Sequence, residues 1–155
     1  MVRSRVDVVN GKQRLEVLEG LSSNFFVVDR NGSLRTATQG VLNGYVRHLV
    51  MESASECGIP FGPRPIYLHQ AHEWTEAFIT SSSRLIYPIS KVLLPEGHRY
   101  SDSNSDDIAN SSSSIFVEYW SDPYFDAIGN VTRDERDVPT WQLLLNEILK
   151  VQGYS

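Results

Sequence analysis

This chain has one cysteine, three lysines and no long apolar run. A single Cys57 cannot close an internal disulfide, and its place in a helical pattern predicts a buried thiol. No apolar stretch approaches the length of a membrane span, and the N-terminal residues lack the apolar core of a secretory signal. Positive charge is also short: 14 Lys and Arg stand against 19 Asp and Glu, and they are scattered rather than striped. A formal charge of −5 argues against a nucleic-acid or anionic-membrane surface. The expected compartment is therefore the cytoplasm, with a longer, organelle-targeted parent as the open alternative. Asn31-Gly-Ser, Asn110-Ser-Ser and Asn130-Val-Thr match the glycosylation tripeptide but carry no weight without an export signal.

What is present suits one domain over residues 1–155. At 41% hydrophobic and 21% charged, the chain can bury a core. Val6–Val9, Asn10-Gly11 and Leu15–Leu18 read as a hairpin, because Asn-Gly readily takes positive φ at both central turn positions. Asn24–Asp29 reads as the next strand. Asn31-Gly32 turns the chain, and Ser33–Thr38 returns, so the first third is an antiparallel meander. From Gly40 the period changes. Tyr45, Val46, Leu49, Val50, Ser53, Ala54 and Cys57 recur at helical steps, and Gly58 and Pro60 end the run.

Pro63–Leu68 reads as a strand and His69–Trp74 as a short polar turn or helix. His69 and His72 lack a third ligand at metal-site spacing, so no metal is expected. Ala77–Thr80 reads as a buried strand, followed by Ser81–Ser83 and the extended Leu85–Ile89. Residues 100–114 are Ser, Asp and Asn with almost no apolar side chain, which predicts a disordered insertion. Ile115–Trp120 reads as an edge strand and Asp134–Asp137 as a charged turn. Pro139 opens a last helix with Trp141, Leu143, Leu144, Ile148 and Val151 on its apolar side. Phe25, Phe26 and Phe78 exceed what one short helix easily covers, so an exposed apolar face is expected there.

Three stretches bear on chemistry. In Glu19-Gly-Leu-Ser-Ser-Asn-Phe-Phe a carboxylate stands at a strand end beside Gly20 and small hydroxyl residues. It suits contact with a cation or protonated nitrogen, although a turn with a solvated glutamate is the simpler reading of these residues alone. Leu42-Asn-Gly-Tyr-Val-Arg opens a helix whose first amides form an anion site, with Asn43 as the expected cap and Gly44 leaving the amides open. Every helix has such an end. Ser81–Ser83 offer hydroxyls suited to a phosphate or carboxylate, as ordinary loops also do.

Together, Glu19-Gly-Leu-Ser-Ser-Asn-Phe-Phe, Leu42-Asn-Gly-Tyr-Val-Arg-His-Leu and Glu76-Ala-Phe-Ile-Thr-Ser-Ser-Ser-Arg-Leu-Ile-Tyr-Pro-Ile resemble the C-terminal half of the class IV aminotransferases. These are the fold type IV pyridoxal-phosphate (PLP) enzymes, which include branched-chain and D-amino-acid aminotransferases and aminodeoxychorismate lyase. The resemblance covers about residues 6–93. It implies an α+β fold, a curved or barrel-like, mostly antiparallel sheet with flanking helices. It also implies amino-group transfer between an amino acid and a 2-oxo acid in the complete enzyme, or a lyase reaction on the same fold.

Carried over residue by residue, Glu19 would hold the pyridine nitrogen and Leu42 would pack on the ring. Gly44 and the amides of Tyr45 and Val46 would receive the phosphate. Ser82 would add a hydroxyl, and Ser83 would reach toward phosphate or substrate carboxylate. Val46 stands where the family commonly has threonine. The family's Schiff-base lysine has no counterpart, since Lys12, Lys91 and Lys150 all lack its context. The resemblance therefore implies a missing N-terminal half or a homodimer neighbour as partner, with a non-catalytic half-domain as the remaining alternative.

Overall fold

The computed structural model describes residues 2–62, 64–89, 91–93, 116–118 and 138–153. The insertion expected at 100–114 and the charged turn at Asp134–Asp137 lie outside the described residues. The first hairpin pairs β1 (Val2–Val9) with β2 (Lys12–Gly20). Asn10 and Gly11 take φ of 53° and 75°, the positive pair that a two-residue turn needs to match strand twist. Strand β3 (Asn24–Asp29) follows, and the short β4 (Leu34–Thr36) folds back on it.

Helix α1 spans Tyr45–Glu56. Gly58, at φ 67°, accepts the left-handed turn that ends it. Cys57 forms the C-cap and is exposed, contrary to the buried thiol expected, because it follows the last helical residue, beyond Ser53 and Ala54 where the buried face of α1 ends. Of the strand expected over 63–68, pairing is confined to β5 (Ile66–Tyr67), and Leu68–Glu73 form a 3-10 turn. Strand β6 (Trp74–Ser81) then turns through Ser82–Arg84 into β7 (Leu85–Pro88). A separate ribbon pairs β8 (Lys91–Leu93) with β9 (Phe116–Glu118). Helix α2 covers Thr140–Val151.

The result is an α+β fold on an open sheet, mostly antiparallel, in the order β1-β2-β3-β6-β7. Strand β6 lies along β3 from Asn24↔Thr80 to Asp29↔Trp74, whereas β2 meets β3 at the single pair Glu19↔Asn24. That arrangement brings the end of β2, the start of β3 and the end of β6 to one edge of the sheet.

Alternation along β3 divides the core. Phe26 and Val28 face Leu49, Val50, Ala54, Trp141, Leu144 and Ile148 of the two helices, with Phe78 beside them. Phe25 and Val27 face the opposite cluster with Val17, Ile66, Leu68, Ala71, Trp74 and Ala77. Phe26 and Phe78, direct cross-strand partners, stack with centroids 5.1 Å apart, and Phe25 meets Trp74 edge-on at 6.0 Å. Burying each phenylalanine contributes on the order of 2–3 kcal/mol. The exposed face expected around Phe25, Phe26 and Phe78 is therefore absent. Two layers cover these rings, one of helix and one of 3-10 turn and strand. On α2, Trp141, Leu144 and Ile148 are buried, but Leu143 and Val151 are exposed, so the apolar stripe is narrower than the sequence predicts. Among the described residues no helix is long and apolar enough to cross a membrane.

Candidate active site

At the sheet edge where β2, β3 and β6 meet, a cleft of about 180 Å³ opens between the strand ends and the start of α1. Glu19, Leu42, Gly44, Tyr45, Val46 and Ser82, six of the residues predicted from sequence, line it. Ser83 does not; its hydroxyl lies 3.3 Å from that of Ser81 within the exposed turn.

Glu19 closes β2 as a buried residue, 6% exposed overall, with both carboxylate oxygens hydrogen bonded. Oε2 accepts the Leu42 amide at 2.8 Å and, more distantly, Asn24 Nδ2 at 3.4 Å; Oε1 accepts Arg3 Nη1 at 2.6 Å. Gly20 forms the exit from β2. Its amide donates to the Ser23 carbonyl at 2.7 Å, and a Cβ on it would displace the Ser23 hydroxyl from its present position.

Asn24 joins the two sides of the cleft. Its Nδ2 donates to the Leu42 carbonyl at 2.7 Å, and its Oδ1 would lie 2.5 Å from any Cβ at position 44. Gly44 is the helix N-cap, and a larger residue there would require the Asn24 side chain to move. Asn43 does not cap α1, contrary to the sequence expectation. Its Oδ1 instead accepts Arg47 Nη1 at 3.2 Å, and no side chain caps the helix. The first amides of α1, at Tyr45 and Val46, are consequently left for whatever enters the cleft. Leu42 and Tyr45 are largely exposed at its mouth, whereas Val46 is buried beneath.

Sequence reading missed Arg3, Asn24, Arg47 and Thr80. A polar residue opening an otherwise apolar β3 was a usable signal for Asn24. The others depend on strand pairing and helix rotation. Arg47 is buried, donates Nη2 to the Ala37 carbonyl at 3.1 Å and retains an unpartnered Nε. Burial holds it below the usual arginine value. Thr80, 2% exposed, has a hydroxyl without a hydrogen-bond partner among the described residues. The uncapped amides of α1 suit an anion and the Glu19 carboxylate suits a cation, and both line the same cleft, together with the spare Thr80 hydroxyl.

The family model for Amino-transferase class IV matches residues 5–92, more than half of the chain. The chain belongs to the class IV aminotransferase family. Among solved structures it is similar to the branched-chain aminotransferase of the thermophilic archaeon Thermoproteus uzoniensis with norvaline. Identity is 22%, over 98% of this chain and 38% of that one, with a TM-score of 0.55, a likeness of fold. It also matches the branched-chain aminotransferase of Thermobaculum terrenum in its PLP form, at 29% identity over 48% of this chain and 25% of that one, with a TM-score of 0.46. A third match is 4-amino-4-deoxychorismate lyase of Pseudomonas aeruginosa, at 23% identity over 56% and 31%, with a TM-score of 0.45. This class IV chain thus spans between a quarter and two fifths of the length of these relatives.

No lysine lines the cleft among the described side chains. Lys12 begins β2 seven residues from Glu19, roughly 23 Å away at about 3.3 Å per strand residue. Lys91 belongs to the β8–β9 ribbon, and Lys150 is exposed and paired with Glu147 at 3.0 Å. His69 and His72 lie in the 3-10 turn, with His72 Nδ1 3.1 Å from the His69 carbonyl. No group of three or more metal-ligating side chains occurs among the described residues.

Proposed function

We propose that this chain is the cofactor-holding part of a class IV aminotransferase-like enzyme, with PLP seated between Glu19 and the start of α1. What supports the reading most is that one cleft is lined both by a buried carboxylate, Glu19, and by the uncapped start of α1, with the unpartnered Thr80 hydroxyl in the same wall. A flat aromatic cation carrying a phosphate suits that pair. Once bound, PLP supplies an electron sink for bonds breaking at an amino acid's Cα.

The chain's own residues bind and orient. Glu19, held in place by the Leu42 amide and Arg3, accepts the proton-bearing ring nitrogen. Leu42 offers an aliphatic side chain to one ring face. The amides of Tyr45 and Val46 receive the phosphate, with Ser82 at the turn adding a hydroxyl. Ser83, in the same turn, stands outside the cleft lining with its hydroxyl 3.3 Å from that of Ser81.

The proposed reaction of the complete enzyme is amino-group transfer between an amino acid and a 2-oxo acid, with a PLP-dependent lyase as the second reading. Either needs a lysine that Lys12, Lys91 and Lys150 do not provide, so the amine would come from an N-terminal half or a homodimer neighbour. Without such a partner the chain acts as a PLP-binding half-domain. Titration by absorbance and fluorescence with PLP, pyridoxal and inorganic phosphate tests the site. PLP is expected to bind saturably and more tightly than either fragment. Equal, non-saturating responses to all three would remove it.

A further inference from the structure

Glu19 does not face the cleft as a lone carboxylate. Arg3 stands opposite it in the β1–β2 ladder, at the point where the register shifts between Arg3 and Ser4. Its Nη1 donates to Glu19 Oε1 at 2.6 Å, the shortest of the contacts on that carboxylate. The Glu19 side chain is 8% exposed, but that of Arg3 is 53% exposed. One oxygen of Glu19 is thus already engaged by a cation rooted on the edge strand, while the cleft opens on the same side chain.

We propose that Arg3 is a positioning residue that fixes the Glu19 carboxylate and lowers the proton affinity of the ring nitrogen this carboxylate receives. The inference rests on the PLP reading above and extends it to a residue outside the cleft wall. A carboxylate beside a pyridine nitrogen favours the protonated ring, and a guanidinium on the same carboxylate repels the charge that forms. Water reaches half of Arg3, so its charge is screened and the effect is partial.

The other groups around the site do not share this role. Strand β3 contributes Asn24, which is uncharged, and the loop before α1 contributes the Leu42 backbone. Strand β6 and its turn contribute the hydroxyls of Thr80, Ser81 and Ser82. Helix α1 contributes one cation, Arg47, whose guanidinium is turned to Asn43 Oδ1 and the Ala37 carbonyl. Arg3 is the cation that contacts Glu19 among the described residues.

Pyridoxamine 5′-phosphate is the probe, because it lacks the aldehyde that would label a surface amine. Its absorbance and fluorescence are followed against pH while bound to the wild type, Arg3→Gln and Arg3→Lys. The ring-nitrogen midpoint in Arg3→Gln is expected roughly 0.5–1 pH unit above the wild type, with Arg3→Lys returning toward it. Added salt moves the wild-type midpoint upward as well, since screening weakens the exposed cation before the buried carboxylate. That arm needs no variant and stands even if Arg3→Gln misfolds. Equal midpoints in all three proteins, with a wild-type midpoint indifferent to salt, would overturn the inference and leave the cofactor site intact. A wild type that does not bind the probe at all would remove the site and the role of Arg3 together.

Discussion

Glu76 on β6 caps helix α2 across 64 residues of sequence: its Oε1 accepts the Thr140 amide at 2.9 Å, and its Oε2 accepts that of Trp141 at 3.1 Å. A carboxylate thereby meets two amides that α2 cannot satisfy internally, at the positive end of its dipole. The capped end sets Trp141, Leu144 and Ile148 against Phe26 and Phe78. Helix α1, whose start opens on the cleft, has no such acceptor. Replacing Glu76 with Ala is expected to cost about 1–2 kcal/mol in urea unfolding, with a smaller loss for Gln, which keeps one acceptor. An unchanged midpoint for both variants would mean that the carboxylate is replaced by water at no cost.

Thr80 separates stability from binding. Its hydroxyl is buried without a partner, so Thr80→Val removes an unsatisfied polar group while keeping the shape. The free protein is expected to be as stable as the wild type or up to about 1 kcal/mol more stable. Stabilisation by PLP should fall several-fold, since a free donor in the cleft wall is gone. Thermal melts with and without PLP read both effects, and a less stable free variant would show that the hydroxyl already has a water partner.

Local chemistry made much of this fold legible. Asn10-Gly11 announced its hairpin, the three-and-four spacing after Gly40 announced α1, and Gly58 its end. Glu19, Leu42, Gly44, Tyr45, Val46 and Ser82, singled out through motifs that resemble the family, line one cleft. What stayed hidden was non-local. Nothing near Arg3 reveals that it pairs with Glu19, because that depends on register over a whole hairpin. Asn43 looks like a cap in sequence, yet Arg47 one turn later competes for its side chain. Cys57 fits the apolar period of α1, but the helix stops before that period matters. Leu143 stands between the buried Trp141 and Leu144, so its exposure reflects which face of α2 meets the core, and the period alone does not encode that choice.

Tyr67 gives the alkaline limb of stability a specific cause. Its hydroxyl donates to Asp7 Oδ2 at 2.8 Å, and that hydrogen bond, followed by burial and the nearby Asp7 and Glu16 charges, raises its pKa above the usual 10.0. A raised folded-state value means that the contribution is fully present below pH 10 and is lost as pH rises through the folded value. Tyr67→Phe should therefore cost about 1 kcal/mol near neutrality and show a flatter decline above pH 10 than the wild type. Parallel wild-type and variant curves across that limb would exclude Tyr67 as its source.

The chain alone should not transaminate. Lys12 is a strand length from Glu19, and Lys150 is exposed and paired with Glu147. Neither meets the demand that an amine sit within reach of the bound ring. After incubation with PLP and reduction by borohydride, peptide mapping is expected to find only sparse, distributed labelling. Turnover of an amino acid with 2-oxoglutarate should stay at the background of free PLP. Stoichiometric label at one lysine together with turnover would overturn this.

Glu19 decides the cofactor reading. Glu19→Gln keeps shape and an acceptor for the Leu42 amide, but removes the charge that the ring nitrogen would meet. Breaking one side of a fully buried pair costs about 3–5 kcal/mol, and much less where water enters or the ring simply loses its proton. This cleft is open to solvent and Arg3 is half exposed, so the smaller scale applies. The expected loss is roughly 1–2 kcal/mol, about tenfold in PLP affinity, as for one charged hydrogen bond. Fold stability should fall by less than about 1 kcal/mol, because Arg3 is free to rehydrate when its partner is neutralised. Inorganic phosphate, which meets only the α1 end, should bind both proteins alike. Equal PLP affinities would take Glu19 out of the site and leave the α1 amides as a general anion seat. A tenfold loss for PLP with none for phosphate would place the ring nitrogen, and not the phosphate, at Glu19.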